Sequence, residues 1–396
     1  MIDFKPFKST YLFLFLVLNF QVISFAQKLK PGAERTAVYL KLLKGKQVAV
    51  VANQTSVLEK KARSSSKRAF THVVDSLLSL QIHIKKVFAP EHGFRGKADA
   101  GEIIKDGFDT KTGLPIVSLY GENKKPSAGH LKGIDVVVFD IQDVGARFYT
   151  YISSLHYVME ACAELNIPVL ILDRPNPNAH YIDGPILKMK HSSFVGMHKV
   201  PIVYGMTIGE YGQMINGENW LKNGVKCDLT VIPIENYTHQ TFYSLPIKPS
   251  PNLPNDISIN LYPSLCFFEG TSVSVGRGTA MQFQVYGSPF LTKNAFSFKP
   301  QANEGAKYPK YKNKICFGED LRTAERLNKL DLSFLIKAYE QNSSKAFFNS
   351  FFTKLAGTEK LQQQVENGLS EKRIRNSWRK GLSTFKKTRS KYLIYK

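Results

Sequence analysis

Glu91 and His92 stand side by side in Ala89-Pro90-Glu91-His92-Gly93-Phe94-Arg95-Gly96, directly behind the apolar run Ile84 to Ala89. A carboxyl group beside an imidazole is equipment for proton transfer. The run reads as a buried strand that Pro90 stops and that Gly93 and Gly96 allow to turn. A strand ending this way aims titratable side chains beyond the sheet edge, where open parallel sheets bind their ligands. Taken alone, such a pair also suits a plain connecting turn. Other strand ends, however, deliver similar groups: Asn53, Glu122, Asp143 with Arg147, and Asp173 with Arg174. That shared edge is the strongest site signal that pattern alone provides. Asp140, still inside its strand, suits a structural carboxylate held by backbone amides.

The elements that must position these groups follow from hydrophobic period. Gln47 to Ala52, Ile84 to Ala89, Pro115 to Leu119, Asp135 to Ile141 and Val169 to Leu172 read as largely apolar runs of strand length. Between them, Phe70, Val73, Val74, Leu77 and Leu78 share one helical face, as do Leu155, Val158, Met159 and Cys162. Strands that are apolar throughout and alternate with helices specify a parallel sheet covered on both faces. We therefore expect a Rossmann-like, doubly wound α/β domain over residues 27–185. The pattern then changes. Thr207 and Glu210 form a capping-box pair, Asp228 to Ile234 reads as a strand, and Pro249-Ser250-Pro251-Asn252-Leu253-Pro254-Asn255 is a rigid loop. Residues 186–396 are expected to form a smaller α+β domain that closes over the sheet edge, with a cleft between the two.

A chain of 396 residues exceeds what one core usually serves, and 43% hydrophobic against 22% charged residues describes a globular protein. Lys5 and Lys8 precede the apolar run Tyr11 to Leu18, and Ser24-Phe25-Ala26 supplies small residues for cleavage after Ala26. Asn19 and Gln21 interrupt the run short of spanning length. Residues 1–26 thus read as a signal peptide, and the mature chain as exported, to the periplasm or beyond, with no membrane span. Cys162, Cys227, Cys266 and Cys316 are widely spaced and form no CxxC, so no zinc site is expected; one disulfide remains open.

The formal net charge is +22, and residues 371–396 hold ten Lys or Arg against one acid. For an exported protein this favours wall polymer or a membrane surface over nucleic acid. Ile374, Trp378, Leu382 and Phe385 recur at helical spacing there, predicting a packed helix with a solvated basic face. No cofactor is expected. No strand leads into GxGxxG, no GxxxxGK[ST] or HExxH occurs, and Gly276-Arg277-Gly278-Thr279 has no helix pattern behind it.

Five collinear stretches carry a resemblance. They are the Glu91-His92 motif, Phe139 to Tyr151, Asp173-Arg174-Pro175-Asn176-Pro177, Tyr204 to Glu210, and Glu269-Gly270-Thr271 with Gly276 to Thr279. Together they resemble the exo-β-N-acetylmuramidase family, along nearly all of the mature chain. The resemblance implies a Rossmann-like domain, a second C-terminal domain and a cleft between them. It also implies release of N-acetylmuramic acid from non-reducing ends of peptidoglycan fragments, with Glu91 as the favoured catalytic residue. Glycoside cleavage commonly uses two carboxyl groups, one of which protonates the leaving oxygen. Aromatic Phe88 and Phe94 beside Glu91 favour a raised pKa there, as a general acid requires. Glu269 from the second domain and Asp143 from the same edge are both candidates for the partner, and the substrate's acetamido group is a third route. The lactyl carboxylate of muramic acid calls for a cation, for which Arg147, Arg174 and Arg277 are candidates. Tyr149 and Tyr151 offer faces for a pyranose, and His92, Asn176 and Asn252 complete the expected binding set. The competing reading is a non-catalytic wall-glycan-binding protein. An esterase or amidase lacks support, since no GxSxG occurs.

Overall fold

A computed structural model describes residues 28–60, 69–95, 106–292, 295–344 and 346–395. The expected signal peptide and Gly96 of the Glu-His motif lie outside the described residues. The strands are Val48–Ala52 (β1), Val57–Lys60 (β2), Ala69–His72 (β3), Ile84–Ala89 (β4), Gly107–Phe108 (β5) and Pro115–Ser118 (β6). Val136–Asp140 (β7), Val169–Leu172 (β8), Leu229–Ile232 (β9), Val285–Ser288 (β10), Phe296–Phe298 (β11) and Cys316–Asp320 (β12) follow.

Seven of these strands form one sheet in the order β5-β6-β4-β1-β7-β8-β9, all parallel except β5. Every residue of β1, β7 and β8 is buried, which is why those segments are apolar throughout apart from Asp140. The chain winds outward from β1 through β4 to β6, then returns to β7 on the other side of β1. The topological switch point therefore lies between β1 and β7. Helices Thr36–Leu43 (α1) and Val73–Ser79 (α2) supply Tyr39, Leu43, Val73, Val74 and Leu77 to the core on one face. Ala128–Leu131 (α3) and the 14-residue helix Tyr151–Glu164 (α4) pack on the other.

β9 belongs to this sheet, pairing with β8 from Val169 and Leu229 to Leu172 and Ile232. The expected boundary at residue 185 had placed it in the second domain. Its burial is patchy, so it lacks the continuous apolar signature of the central strands, and a long excursion precedes it. That excursion ends in helix Ile208–Gly217 (α5), which begins with the expected capping box: Thr207 Oγ1 accepts from Glu210 N at 3.3 Å, and Glu210 Oε2 accepts from Thr207 N at 2.9 Å.

The rest of the chain builds the α+β part. Helix Asp256–Leu265 (α6) is capped by Asn255 and carries Pro263 inside it. A three-stranded antiparallel sheet, β10-β12-β11, follows. Helices Ser333–Glu340 (α7), Phe351–Ala356 (α8), Lys360–Glu366 (α9), Glu371–Asn376 (α10) and Arg379–Arg389 (α11) close the chain. Ile374, Trp378 and Phe385 are buried, as the helical spacing predicts. The chain then returns to the first sheet. Tyr395 OH donates to Asp173 Oδ2 at 2.6 Å, and Glu210 Oε1 accepts from the amides of Ile394 at 2.9 Å and Tyr395 at 3.2 Å. All four cysteines are buried free thiols, so the disulfide that the sequence left open does not form.

Candidate active site

β4 ends at Ala89, and the chain must turn sharply to present Glu91. It does so with two successive left-handed residues, His92 at φ +72° and Gly93 at φ +76°, closed by a hydrogen bond from Gly93 N to Pro90 O at 3.0 Å. Gly93 adopts that region freely, whereas for His92 it is a strained choice. The turn brings the Glu91 carboxylate to the first residues of α4, where Thr150 Oγ1 donates to Oε2 at 2.8 Å. The Tyr120 hydroxyl, just past β6, is also hydrogen-bonded to Glu91. Burial, and then the Glu91 carboxylate, push that hydroxyl well above its usual pKa. Behind this pair, Tyr151 OH accepts from Asn53 Nδ2 at 2.8 Å and reaches the Glu91 carbonyl at 3.4 Å.

Glu91 and His92 face a cleft of about 290 Å³. Its aromatic walls come from Tyr120, Phe148, Tyr149, Phe194, Tyr262 and Phe351, and Asn252 lies in the rigid loop that borders it. Glu269 and Arg277 line the same cleft from the second half of the chain, joined by an Arg277 Nη1 to Glu269 Oε1 contact of 3.2 Å. A further cavity of about 440 Å³ shares Glu269, Arg277 and Phe351 with the cleft, so this ion pair forms a waist between two chambers. Lys310 stands in the second chamber. Its ammonium donates to the carbonyls of Thr271 at 2.6 Å, Val273 at 3.0 Å and Phe268 at 3.3 Å, bracing the turn that carries Glu269. Burial pushes its pKa down to about 8.

Five of the expected site residues lie behind the cleft wall. Asp143 is buried, with Oδ2 accepting from the Tyr204 hydroxyl and from Gly145 N at 2.7 Å, and burial raises its pKa to about 7. Arg147 is fully buried. Its Nη1 donates to Pro185 O at 2.9 Å and Val200 O at 2.8 Å, and its Nη2 to Leu355 O at 2.9 Å and Ala356 O at 2.8 Å. Four carbonyl partners in a dry site commit the guanidinium to joining the two halves of the molecule. Gly357, at φ +73° after α8, leaves it room: a Cβ there would come within 2.6 Å of Nη2.

Arg174 is committed to Asp140, at 2.5 Å through Nε and 2.9 Å through Nη2, and also donates to Val57 O at 3.0 Å. Asp140 has the structural role expected of it, with guanidinium rather than amide donors. Asn176 donates to Met206 O at 2.8 Å and packs against Gly145, where a Cβ would overlap its amide. Tyr151 is buried beneath Glu91. Thr150 and Tyr120 were missed by sequence reasoning, although Thr150 sits inside the Phe139 to Tyr151 stretch. Tyr120 shares its strand end with the more conspicuous carboxylate Glu122, which is exposed. Phe88 and Phe94 do not line the cleft; the aromatic surroundings of Glu91 come from Tyr120, Phe148 and Tyr149 instead. Among the described residues, no group of three or more His, Cys, Asp or Glu side chains is placed to hold a metal ion.

A family model described as exo-β-N-acetylmuramidase NamZ, N-terminal, matches residues 48–257, and its C-terminal counterpart matches residues 260–395. The chain belongs to the NamZ family. It is 38% identical over 386 residues to the peptidoglycan β-N-acetylmuramidase NamZ of Bacillus subtilis, covering 90% of this chain and 89% of that protein. A crystal structure of a DUF1343 family protein from Bacteroides fragilis superimposes with a TM-score of 0.84 at 45% identity, covering 93% of this chain and 99% of the other. A second DUF1343 family protein from the same organism gives 0.77 at 27% identity, with the same coverage. The resemblance seen in the motifs, and the α/β architecture expected from them, are thereby borne out. As a NamZ family member the chain is a glycoside hydrolase. The seam between the two family models falls after β9, where the large sheet ends.

Proposed function

We propose that this enzyme releases N-acetylmuramic acid from the non-reducing ends of peptidoglycan fragments, with Glu91 as the general acid. The observation that supports this most is one cleft, in a NamZ family chain, lined by Glu91 from the first sheet edge and by Glu269 and Arg277 from the second half. A terminal muramyl residue seats with its glycosidic oxygen at Glu91 and its ring against Tyr149 and Tyr262. Thr150 and Tyr120 orient the carboxyl group for the transfer. Leaving the cleft hydrated would screen these charges; covering the sheet edge with the second half strengthens them.

Glu269 then serves as the second carboxylate, or the acetamido group of the sugar takes that part. Arg277 holds the lactyl carboxylate, since one guanidinium can serve Glu269 and a substrate anion together. His92 and Asn252 border the sugar, and Asn252 is held in place by donating to Gly305 O at 2.7 Å. The leader motif at residues 1–26 supports export, so that enzyme and wall fragments share the periplasm or the exterior.

The test is hydrolysis of a chromogenic β-N-acetylmuraminide beside the matching glucosaminide. Loss of a charged clamp is worth roughly 2–5 kcal/mol, so the muraminide is preferred by at least about 30-fold. Arg277→Met is expected to erase that preference. Equal hydrolysis of both sugars by the unaltered enzyme would refute the clamp, and hydrolysis of neither would refute the proposed activity.

A further inference from the structure

The cations of the two last helices sort into two sets. Arg375 and Arg389 are used by the fold: Arg375 Nη2 meets Asp183 Oδ2 at 2.6 Å, and Arg389 Nε donates to Gly205 O at 2.8 Å. Lys372, Arg373, Arg379, Lys380, Lys386 and Lys387 are exposed and, among the described residues, make no ion pair. They fall as adjacent pairs at seven-residue intervals. Within α11 that interval is two turns, which returns to nearly the same face about 10 Å further along the axis.

A groove runs beside them. It consists of adjoining cavities of about 450 and 470 Å³ that share Ile186, Lys199 and Gly381. Trp378 and Phe385 contribute apolar floor, while Lys360 and Lys380 add to its cationic rim, together with Lys188, which also faces Glu359 at 3.9 Å. Glu218 also lines it but is already bound, by Tyr392 OH at 2.7 Å and Lys391 at 3.3 Å. Among the described residues, none lines both this groove and the cleft that holds Glu91.

So many unpaired cations on neighbouring turns repel one another, and an anionic partner relieves that repulsion. The shape of the surface narrows the choice of partner. The apolar residues of α10 and α11 face inward, which leaves no exposed ridge to enter a bilayer. Trp378 is only 6% exposed and offers no platform for stacked bases. A concave groove with an apolar floor and a cationic rim suits a narrow polymer that carries carboxylates at intervals. We propose that this groove and the outer face of α10 and α11 are a second, non-catalytic surface that binds peptidoglycan strands through the carboxylates of their stem peptides and unsubstituted lactyl groups. The surface holds polymer while the cleft works on a chain end. The identity of the polymer rests on the muramidase reading above.

The experiment is co-sedimentation of the full-length protein with insoluble peptidoglycan sacculi, using Glu91→Gln to keep the polymer intact. Anionic phospholipid vesicles and duplex DNA serve as competing partners. A cation facing an anionic surface contributes roughly fivefold in affinity, so K372E/K380E/K387E, which removes three cations and adds three anions, is expected to bind sacculi at least about a hundredfold more weakly. Added salt should weaken the parent and barely affect the variant. With Glu91 restored, the variant should hydrolyse a small chromogenic muraminide at the unaltered rate and unfold at no lower temperature. Should charge reversal disturb folding, the Lys→Gln triple variant must show a loss in the same direction. Undiminished sedimentation of either folded variant overturns the proposal. Tighter binding to vesicles or DNA than to sacculi overturns it in favour of that partner. Failure of the muramidase reading shows separately, as an unaltered enzyme that leaves the muraminide intact.

Discussion

Glu91 meets two hydroxyls, from Thr150 and Tyr120, and a hydroxyl can donate to a carboxylate or accept from a carboxylic acid. The side chain is thus held in one place through both protonation states, which a group that gives a proton to a leaving oxygen and later recovers it requires. Glu91→Gln keeps the shape and removes the exchangeable acid. Its turnover of a muraminide is expected to fall by ~10²–10⁴-fold with an unchanged melting temperature. A variant within a few-fold of the parent would remove Glu91 from the mechanism. His92 poses a different trade. Its backbone sits at φ +72°, in a region that L-residues occupy at a cost, and its side chain borders the cleft. His92→Gly relieves that cost and deletes the imidazole, so the protein should be as stable as the parent to within about 1 kcal/mol while losing kcat/KM. Calorimetry and steady-state kinetics on one preparation separate the two effects. A marked drop in stability would make the imidazole a structural strut.

Arg147 ties elements that are distant in sequence, binding carbonyls before Ile186 and after Lys199 on one side and the C-terminal carbonyls of α8 on the other. Hydrogen bonds from a charged donor contribute about 1.5–3 kcal/mol each, and their loss leaves buried carbonyls unpaired. Arg147→Met should therefore lower the urea-derived unfolding free energy by at least about 3 kcal/mol, and a loss below 1 kcal/mol would contradict this role. The same residue shows what a sequence can and cannot disclose. The runs that became β1, β7 and β8 were legible because burial on both faces demands an almost unbroken apolar run, and β4 was legible from its apolar end, Val87 to Ala89, in spite of Lys85 and Lys86. The capping box at Thr207 was legible because it is local. β9 was legible as a strand but not as a member of the large sheet, because its half-exposed pattern lacks the apolar signature of the central strands, and α6 was hidden by Pro263 and by its polar first turn. At the site, strand-end position located Glu91 and His92, the motifs brought in Tyr149, Glu269 and Arg277, and the proline-rich loop brought in Asn252. Position does not say which way a side chain turns, however. Arg147 and Arg174 turn inward to carbonyls and to Asp140, and Asp143 turns to Tyr204 and Gly145.

Among the buried carboxyl groups of the molecule, Asp143 and Asp173 are each raised by burial to about 7. Because the folded protein holds these protons more tightly than the unfolded chain, raising the pH removes stability. The loss begins near the ordinary Asp value of 3.8 and is complete above about 7. Between pH 5 and 8 the unfolding free energy should fall by a few kcal/mol, and Asp143→Asn should flatten the slope by its share. A flat profile in the parent enzyme would show that both groups are ionised throughout. Asp173 carries a further consequence, one of order in time. Its carboxylate, at the end of β8, is completed by Tyr395, while Glu210 receives the amides of residues 394 and 395. A growing chain on the ribosome has all seven strands of the large sheet in hand long before residue 395 emerges. Until then both carboxylates lack these partners, and the early-made sheet waits for a segment made more than 150 residues later before it can lock.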